Sequence, residues 1–353
     1  MGAEKAAGDG ADFVSGVELA RMFYAEVVGP LLEGRIHSAA RLGSGSDVLG
    51  FDTERSTDHG WGPQLQVFTG ASEVEEIRAI IDSGLPEEFR GWPVYFGWDE
   101  VAVQHHVEVS TLEEWLRAHL GFDPQGEIVI RNWLATPQQL LLEVMAGAVF
   151  HDADGSLERV CGKLAWYPDD VWLWLLACQW RRIGQEEAFV GRTAEVGDEL
   201  GSRVLAARLV RDLMRLCFLL ERRYAPYSKW LGSAFCELRM ASEVGPHLAA
   251  ALEAADYPAR EAGLCGAYEC VARRHNALGV TAVVDPEVRG FHARPFRVIE
   301  GDRFAEVCLE RVGDEWLKRQ PLVGGIDQFA DSTDVLSSAR RSQQLADIYG
   351  EQE

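Results

Sequence analysis

The run Gly43-Ser44-Gly45-Ser46 follows a short apolar stretch ending at Leu42, and Asp58 comes after an eleven-residue spacer. A Gly-Ser turn closing a strand leaves consecutive backbone N–H groups free to hold phosphate oxygens. Glycine lets the backbone approach a ligand closely. Gly45 and Ser46 are therefore candidate phosphate-binding residues, Ser46 adding a hydroxyl donor. Asp58 is the candidate metal ligand, because a hard cation such as Mg²⁺ takes oxygen ligands beside phosphates. Glu108 offers a second carboxylate, as metal ligand or as the base that takes a proton from an attacking hydroxyl. The plainer reading of Asp58 is a turn or helix cap, and of Glu108 a solvated strand residue.

These residues need elements to position them. Apolar residues at helical spacing over Phe13–Leu32 predict an amphipathic helix, followed by short strands near Ile36–Leu42 and Leu65–Phe68. A helix is expected over Glu73–Asp82 with Ser72 as its cap. Val101–Ser110 alternates: Val101, Val103, His105, Val107 and Val109 share one face, and Ala102, Gln104, His106 and Glu108 the other, which predicts a half-buried strand carrying His105 into the core. Thr111 and Glu114 form a capping-box pattern ahead of a helix over Leu112–Leu120. From about Thr136 the pattern is helical, with helices expected over 136–150, 169–183, 187–223, 228–241, 243–255, 258–277 and 302–312. The expected organisation is a disordered N-terminus (1–12), a small mixed α/β domain (13–135) and a large, mainly helical domain (136–350). Trp172, Trp174 and Trp180 read as core packing. Asp327, Asp331 and Asp334 read as caps and a solvated helix start, and Arg294 and Arg297 as partners of local carboxylates.

Composition bounds the partners. With 34 basic and 56 acidic residues among 353, the net charge of −22 repels a nucleic-acid backbone, so a nucleic-acid substrate is unlikely to be drawn to it at long range. No Cys-x-x-Cys pair occurs among the seven cysteines, which argues for reduced thiols in a cytoplasmic protein and against zinc. No signal peptide is expected at the N-terminus, and Val171–Trp180 is too short to span a bilayer, so no membrane association is expected.

Taken together, the strand, the Gly45-Ser46 turn, the spacer, Asp58 and the later carboxylate Glu108 resemble the nucleotidyltransferase superfamily, which includes the aminoglycoside nucleotidyltransferases. Gly60 stands where that pattern has the second residue of Asp-x-Asp and contributes no ligand; His59 suits Mg²⁺ poorly, and Asp47 or Asp52 of the spacer is the carboxylate expected to swing in instead. The longer string from Gly45 to His59, His275-Asn276-Ala277-Leu278-Gly279, and the string from Gly325 to Asp334 are similar to the bacterial DUF4037 family of nucleotidyltransferase-like proteins. The resemblance implies an α+β fold, with a small mixed-sheet nucleotidyltransferase-like domain followed by a large helical domain. It implies transfer of a nucleotidyl group, AMP by expectation, from ATP or another NTP with Mg²⁺ to a hydroxyl or amine of a small molecule. It further implies that Lys229, near a helix start, contacts the triphosphate, while Tyr224 and Trp230 flank a base or substrate ring. Two other readings stand beside it: a non-catalytic nucleotide- or metabolite-binding regulator, favoured by Gly60, and a toxin–antitoxin-type nucleotidyltransferase acting on a protein.

Overall fold

The computed structural model describes residues 13–99 and 101–350; the disorder expected over 1–12 lies outside the described residues. The fold is α+β, a small mixed sheet with a large helical part, and the chain divides into two compact units. The first comprises the residues up to Ile128 together with Gln139–Ala165 and Ser338–Arg340; the second comprises Val129–Gln138, Trp166–Ser337 and the residues from Arg341 on. No helix of the described residues is long and apolar enough to cross a membrane.

The first unit is built on five strands, β1 (Ser38–Arg41), β2 (Gln64–Phe68), β3 (Tyr95–Trp98), β4 (Val101–Ser110) and β5 (Ala148–Asp152), in the order β3-β4-β2-β1-β5. Only β2 and β4 pair in parallel; the other neighbours are antiparallel. Partners across strands share a face. Leu65 with Val107 and Val67 with Val109 therefore point together, into a core formed with Leu19 and Phe23 of α1 (Gly16–Phe23) and Ile77 and Ile81 of α2 (Val74–Gly84). The opposite face carries Gln64 beside His106 and Gln66 beside Glu108.

Several local expectations hold. The strand over Val101–Ser110 has the expected bounds, and α3 (Leu112–Leu120) begins with the Thr111/Glu114 capping box. Others need correction. Val101 and Val103 are 36% and 73% exposed, because the first half of β4 runs out with β3 as a hairpin beyond the core. His105 is not a core histidine; its Nε2 sits 2.7 Å from Asp82 Oδ1. Ser72 does not cap α2, whose cap position is Glu73. The helix expected over 136–150 stops at Met145, and Ala148–Asp152 adds the edge strand β5. The helix expected over 187–223 is two, Phe189–Glu195 and Glu199–Leu220, broken at Gly197 (φ 77°), with Asp198 Oδ1 accepting from Gly201 N at 2.8 Å.

In the second unit, α4 (Asp169–Glu186) packs against α5 (Glu199–Leu220) and the helix Asp302–Leu309. Trp172, Trp174 and Trp180 are fully buried, as their apolar surroundings in the sequence predict. Trp180 stacks on Phe304 at 4.3 Å between ring centres and donates to His275 Nδ1 at 3.1 Å. The neighbouring Asn276 closes a loop by exchanging hydrogen bonds with the backbone of Val284. The His275-Asn276 string is thus part of the scaffold.

Just past α4, the buried Glu187 carboxylate accepts N–H bonds from Ile299, Glu300 and Gly301 at 2.6, 3.2 and 3.1 Å. Burial pushes its carboxyl up to about 7, against the opposing pull of those three donors. The folded state therefore binds this proton more tightly than the unfolded chain does. The resulting stability is complete below the ordinary glutamate value near 4.3 and is lost as pH rises through about 7, on the order of 3 kcal/mol in all. Urea unfolding between pH 4.5 and 7.5 is expected to give a stability difference, wild type minus Glu187→Gln, that falls with rising pH. A flat difference contradicts the assignment.

Candidate functional site: the Gly-Ser turn

The turn after β1 is held from below by a buried ion pair. Arg41 and Asp47 are 3% and 4% exposed. Arg41 Nε meets Asp47 Oδ2 at 2.7 Å and Nη2 meets Oδ1 at 2.9 Å, a bidentate fork. The remaining donors go to the turn itself, Nη1 to Leu42 O at 2.6 Å and Nη2 to Ser44 O at 3.0 Å. The guanidinium thus takes up two carbonyls of the turn. Gly43 N donates to Glu143 O at 2.8 Å. Among the described residues, the N–H groups of Ser44, Gly45 and Ser46 find no acceptor, and all three residues reach solvent. Gly45 has φ 150°, and a Cβ there would overlap Asp47 Oδ1 and Arg41 Nη2, so glycine is required on both counts.

Asp47 and Asp52 therefore cannot swing toward a metal. Asp47 is consumed by Arg41. Asp52 Oδ2 accepts from Gly16 N at 2.7 Å and from Trp61 Nε1 at 3.1 Å, tying the loop to the start of α1. The expectation that either would replace the missing ligand is corrected by these commitments.

The sequence-derived residues fall as follows. Glu108 lies on β4 directly beside Gln66 of β2, and Gln66 Oε1 accepts from Leu42 N at 2.8 Å, so the base of the turn and Glu108 share one region of the sheet. Asp58 closes the 3₁₀ helix Glu54–Asp58 within the long connection from β1 to β2. Both carboxylates are exposed, and neither has a hydrogen-bond or ion-pair partner among the described residues. No cluster of three or more His, Cys, Asp or Glu able to hold a metal occurs among the described residues. In the second unit, Lys229 is exposed with its Nζ 4.9 Å from the centre of the Trp230 ring. Tyr224 is buried, 4.9 Å from the Trp166 ring and 5.2 Å from Tyr167.

Position 60 is occupied by packing. Gly60 has φ 61°, and a Cβ there would meet Trp98 Cε2 at 3.2 Å. At Gly62 a Cβ would strike the Phe96 ring. The β3–β4 hairpin thus lays Phe96 and Trp98 across residues 60–62. His106 completes the group, its ring 4.3 Å from Phe96 and 4.9 Å from Trp98, with Nε2 2.9 Å from Phe96 O. Burial holds His106 below the usual histidine range, with the charges of His105 and Arg41 acting the same way. His59 faces outward, 3.6 Å from Asp99.

Sequence reasoning passed over Arg41 and Trp98, and took Asp47 for a possible metal ligand. An arginine closing a short strand, six residues before an aspartate, was the available signal for their pairing. Nothing local marks Trp98.

A family described as "Domain of unknown function (DUF4037)" matches residues 133–231, under half of the chain and outside the Gly-Ser turn, Asp58 and Glu108. A search of the curated proteins finds no match. Among solved structures, a nucleotidyltransferase-like protein from Exiguobacterium sibiricum is similar over 74% of this chain and 77% of its own, at 13% sequence identity and a TM-score of 0.32.

Removing either member of the Arg41–Asp47 pair strands a buried charge. Arg41→Met or Asp47→Leu alone is expected to cost about 3–5 kcal/mol in urea unfolding, and the double variant less than the sum of the two. Additive single costs would contradict a coupled pair.

Proposed function

We propose that the first unit binds a nucleoside triphosphate at the Gly43–Ser46 turn, and that nucleotidyl transfer there is weak or absent. The observation that carries this reading is the set of three consecutive N–H groups at Ser44, Gly45 and Ser46, free of protein acceptors among the described residues and held open by a guanidinium beneath them. Such a nest attracts anionic oxygens. Ser46 supplies a hydroxyl. Asp58 and Glu108, both uncommitted, are the residues that would hold Mg²⁺ together with phosphate oxygens; Mg²⁺ is commonly bound by one or two carboxylates plus substrate phosphates. The metal would neutralise charge developing on the phosphates. The negative chain charge disfavours a nucleic-acid acceptor.

Weak transfer follows from position 60. Aspartate there would have to adopt φ near 61° and push the Trp98 indole back by a few tenths of an ångström, a strain on the order of 1–3 kcal/mol. The local geometry thus disfavours an acidic side chain at position 60, where the sequence has none.

A transferase reading is favoured by one feature, the parallel pairing that sets Glu108 beside Gln66 near the base of the turn. On that reading Glu108 takes the proton of an acceptor hydroxyl or amine, and AMP passes from ATP to a small molecule with pyrophosphate leaving.

Calorimetric titration of ATP with and without Mg²⁺ separates these readings from a turn with no ligand. Binding is expected, tightened by Mg²⁺, with the Mg²⁺ effect lost in Asp58→Ala and overall affinity lowered about tenfold in Ser46→Ala. Pyrophosphate release over a panel of amino sugars and amino acids is expected to stay near background. Sustained, acceptor-dependent release would establish the transferase, and absence of ATP binding would sink both readings.

A further inference from the structure

A cavity of about 550 Å³ opens in the first unit, where β2 and β4 end and β1 begins, and the turn after β5 closes another side. That volume is in the range of small-molecule sites. The Gly-Ser turn is at the opposite end of β1, so the cavity is a separate place on the sheet. Its walls are tied together. Ser38 Oγ donates to Asp152 Oδ1 at 2.9 Å, joining β1 to β5, and Thr69 Oγ1 donates to Ile36 O at 3.1 Å. The wall at Gln125 is pinned by Lys163, whose Nζ donates to the carbonyls of Pro124, Gln125 and Gly126 at 3.2, 2.6 and 2.9 Å. Phe68 and Leu112, both buried, give the cavity an apolar base.

The charged side chains that line it are of one sign. Glu113, Glu114 and Asp154 are carboxylates, and no lysine or arginine is among the lining residues. His37 lines it too, but burial holds that imidazole below the usual histidine range, and Tyr24 Oη and Arg35 O, each at 3.0 Å, occupy both its nitrogens. It adds no positive charge at neutral pH. The neighbouring cations are spent on the protein: Arg117 on Glu113 at 2.9 Å, Arg159 on Asp154 O at 2.8 Å, and Lys163 on its three carbonyls. The starts of α3 and of the helix Ser156–Leu164 border the cavity, and helix starts alone attract anions. Their first-turn acids, Glu113, Glu114 and Glu158, offset that field. A carboxylate accepts up to about four hydrogen bonds. Glu114 accepts from Thr111 N and Asp154 from Ser156 N, so both keep capacity for a ligand.

The carboxylates stand on separate walls. Glu113 and Glu114 follow β4 and Asp154 follows β5, and these strands are three spacings apart in the sheet, roughly 14 Å. We infer that the cavity binds a linear aliphatic diamine. Its carbon chain lies over Phe68 and Leu112, one ammonium meets Glu113 and Glu114, and the other meets Asp154. The site is independent of the Gly-Ser turn, and its test does not depend on nucleotide binding.

The test is calorimetric titration of the full chain with 1,4-diaminobutane, butylamine, butyrate and inorganic phosphate. Saturable one-site binding of 1,4-diaminobutane is expected, weakened by rising ionic strength, with butylamine several-fold weaker and no response to butyrate or phosphate. Glu113→Gln and Asp154→Asn are each expected to weaken the diamine about three- to fivefold, as loss of a partly exposed charge pair should. Ala71→Trp, which fills the cavity from its exposed rim, is expected to abolish binding, and Ser46→Ala to leave it unchanged. Should Ala71→Trp fail to fold, Ala153→Trp, also on the exposed rim, decides. No saturable response to the diamine, or an undiminished one in the cavity-filling variant, overturns the site. Equal affinity for butylamine and the diamine overturns the two-ended assignment, and binding of butyrate or phosphate in place of the amines overturns the charge assignment.

Discussion

Arg41 and Asp47 are opposite charges buried at the end of β1, and their pairing sets the conformation of the turn above them. A buried ion pair is weak evidence for stability, since desolvation offsets most of the attraction. Its value here is geometric. One guanidinium satisfies a carboxylate and two turn carbonyls at once, while Leu42 N and Gly43 N are taken up by Gln66 and Glu143, which leaves the N–H groups of Ser44, Gly45 and Ser46 without acceptors among the described residues. The same pairing demands glycine at position 45 and crowds Gly16 at the start of α1, where a Cβ would meet the Asp47 side chain. Strand end, turn and helix start are therefore tuned to one contact.

The rest of the sheet serves that arrangement. Gln66 bridges from β2 to Leu42, and the parallel register brings Glu108 alongside. The hairpin of β3 and β4 turns the aromatic residues Phe96 and Trp98 over residues 60–62, where an acidic side chain would otherwise be sought. On the proposed reading, three N–H donors without acceptors and only two uncommitted carboxylates would separate the capacity to bind a nucleotide from the capacity to transfer part of it.

What the sequence made legible follows the range of the interactions involved. Thr111 and Glu114 announce α3 because a capping box is local. Val101–Ser110 is readable because alternation is a property of the strand itself. The edge strand Ala148–Asp152 was hidden, since the three apolar residues Ala148-Val149-Phe150 after a helix do not distinguish a strand from a further turn. Gly45, Ser46, Asp58 and Glu108 could be named from residue type and spacing. The fates of Asp47 and Asp52 could not, because their partners Arg41, Gly16 and Trp61 are chosen by the fold. Asp327 is the clearest case. Three aspartates in a polar string look solvated, and only the long-range bond from Gln138 N draws one of them, Asp327, to a half-buried position. Trp98 over Gly60 belongs to the same class of long-range contact.

The central claim is that the turn N–H groups are the phosphate site. A crystal structure of the full chain with a non-hydrolysable ATP analogue and Mg²⁺ tests it most directly. The account predicts phosphate oxygens within hydrogen-bonding distance of the Ser44, Gly45 and Ser46 N–H groups, with Trp98 still packed on Gly60. Phosphates bound elsewhere, or a turn whose N–H groups rotate away from bound nucleotide, would contradict it.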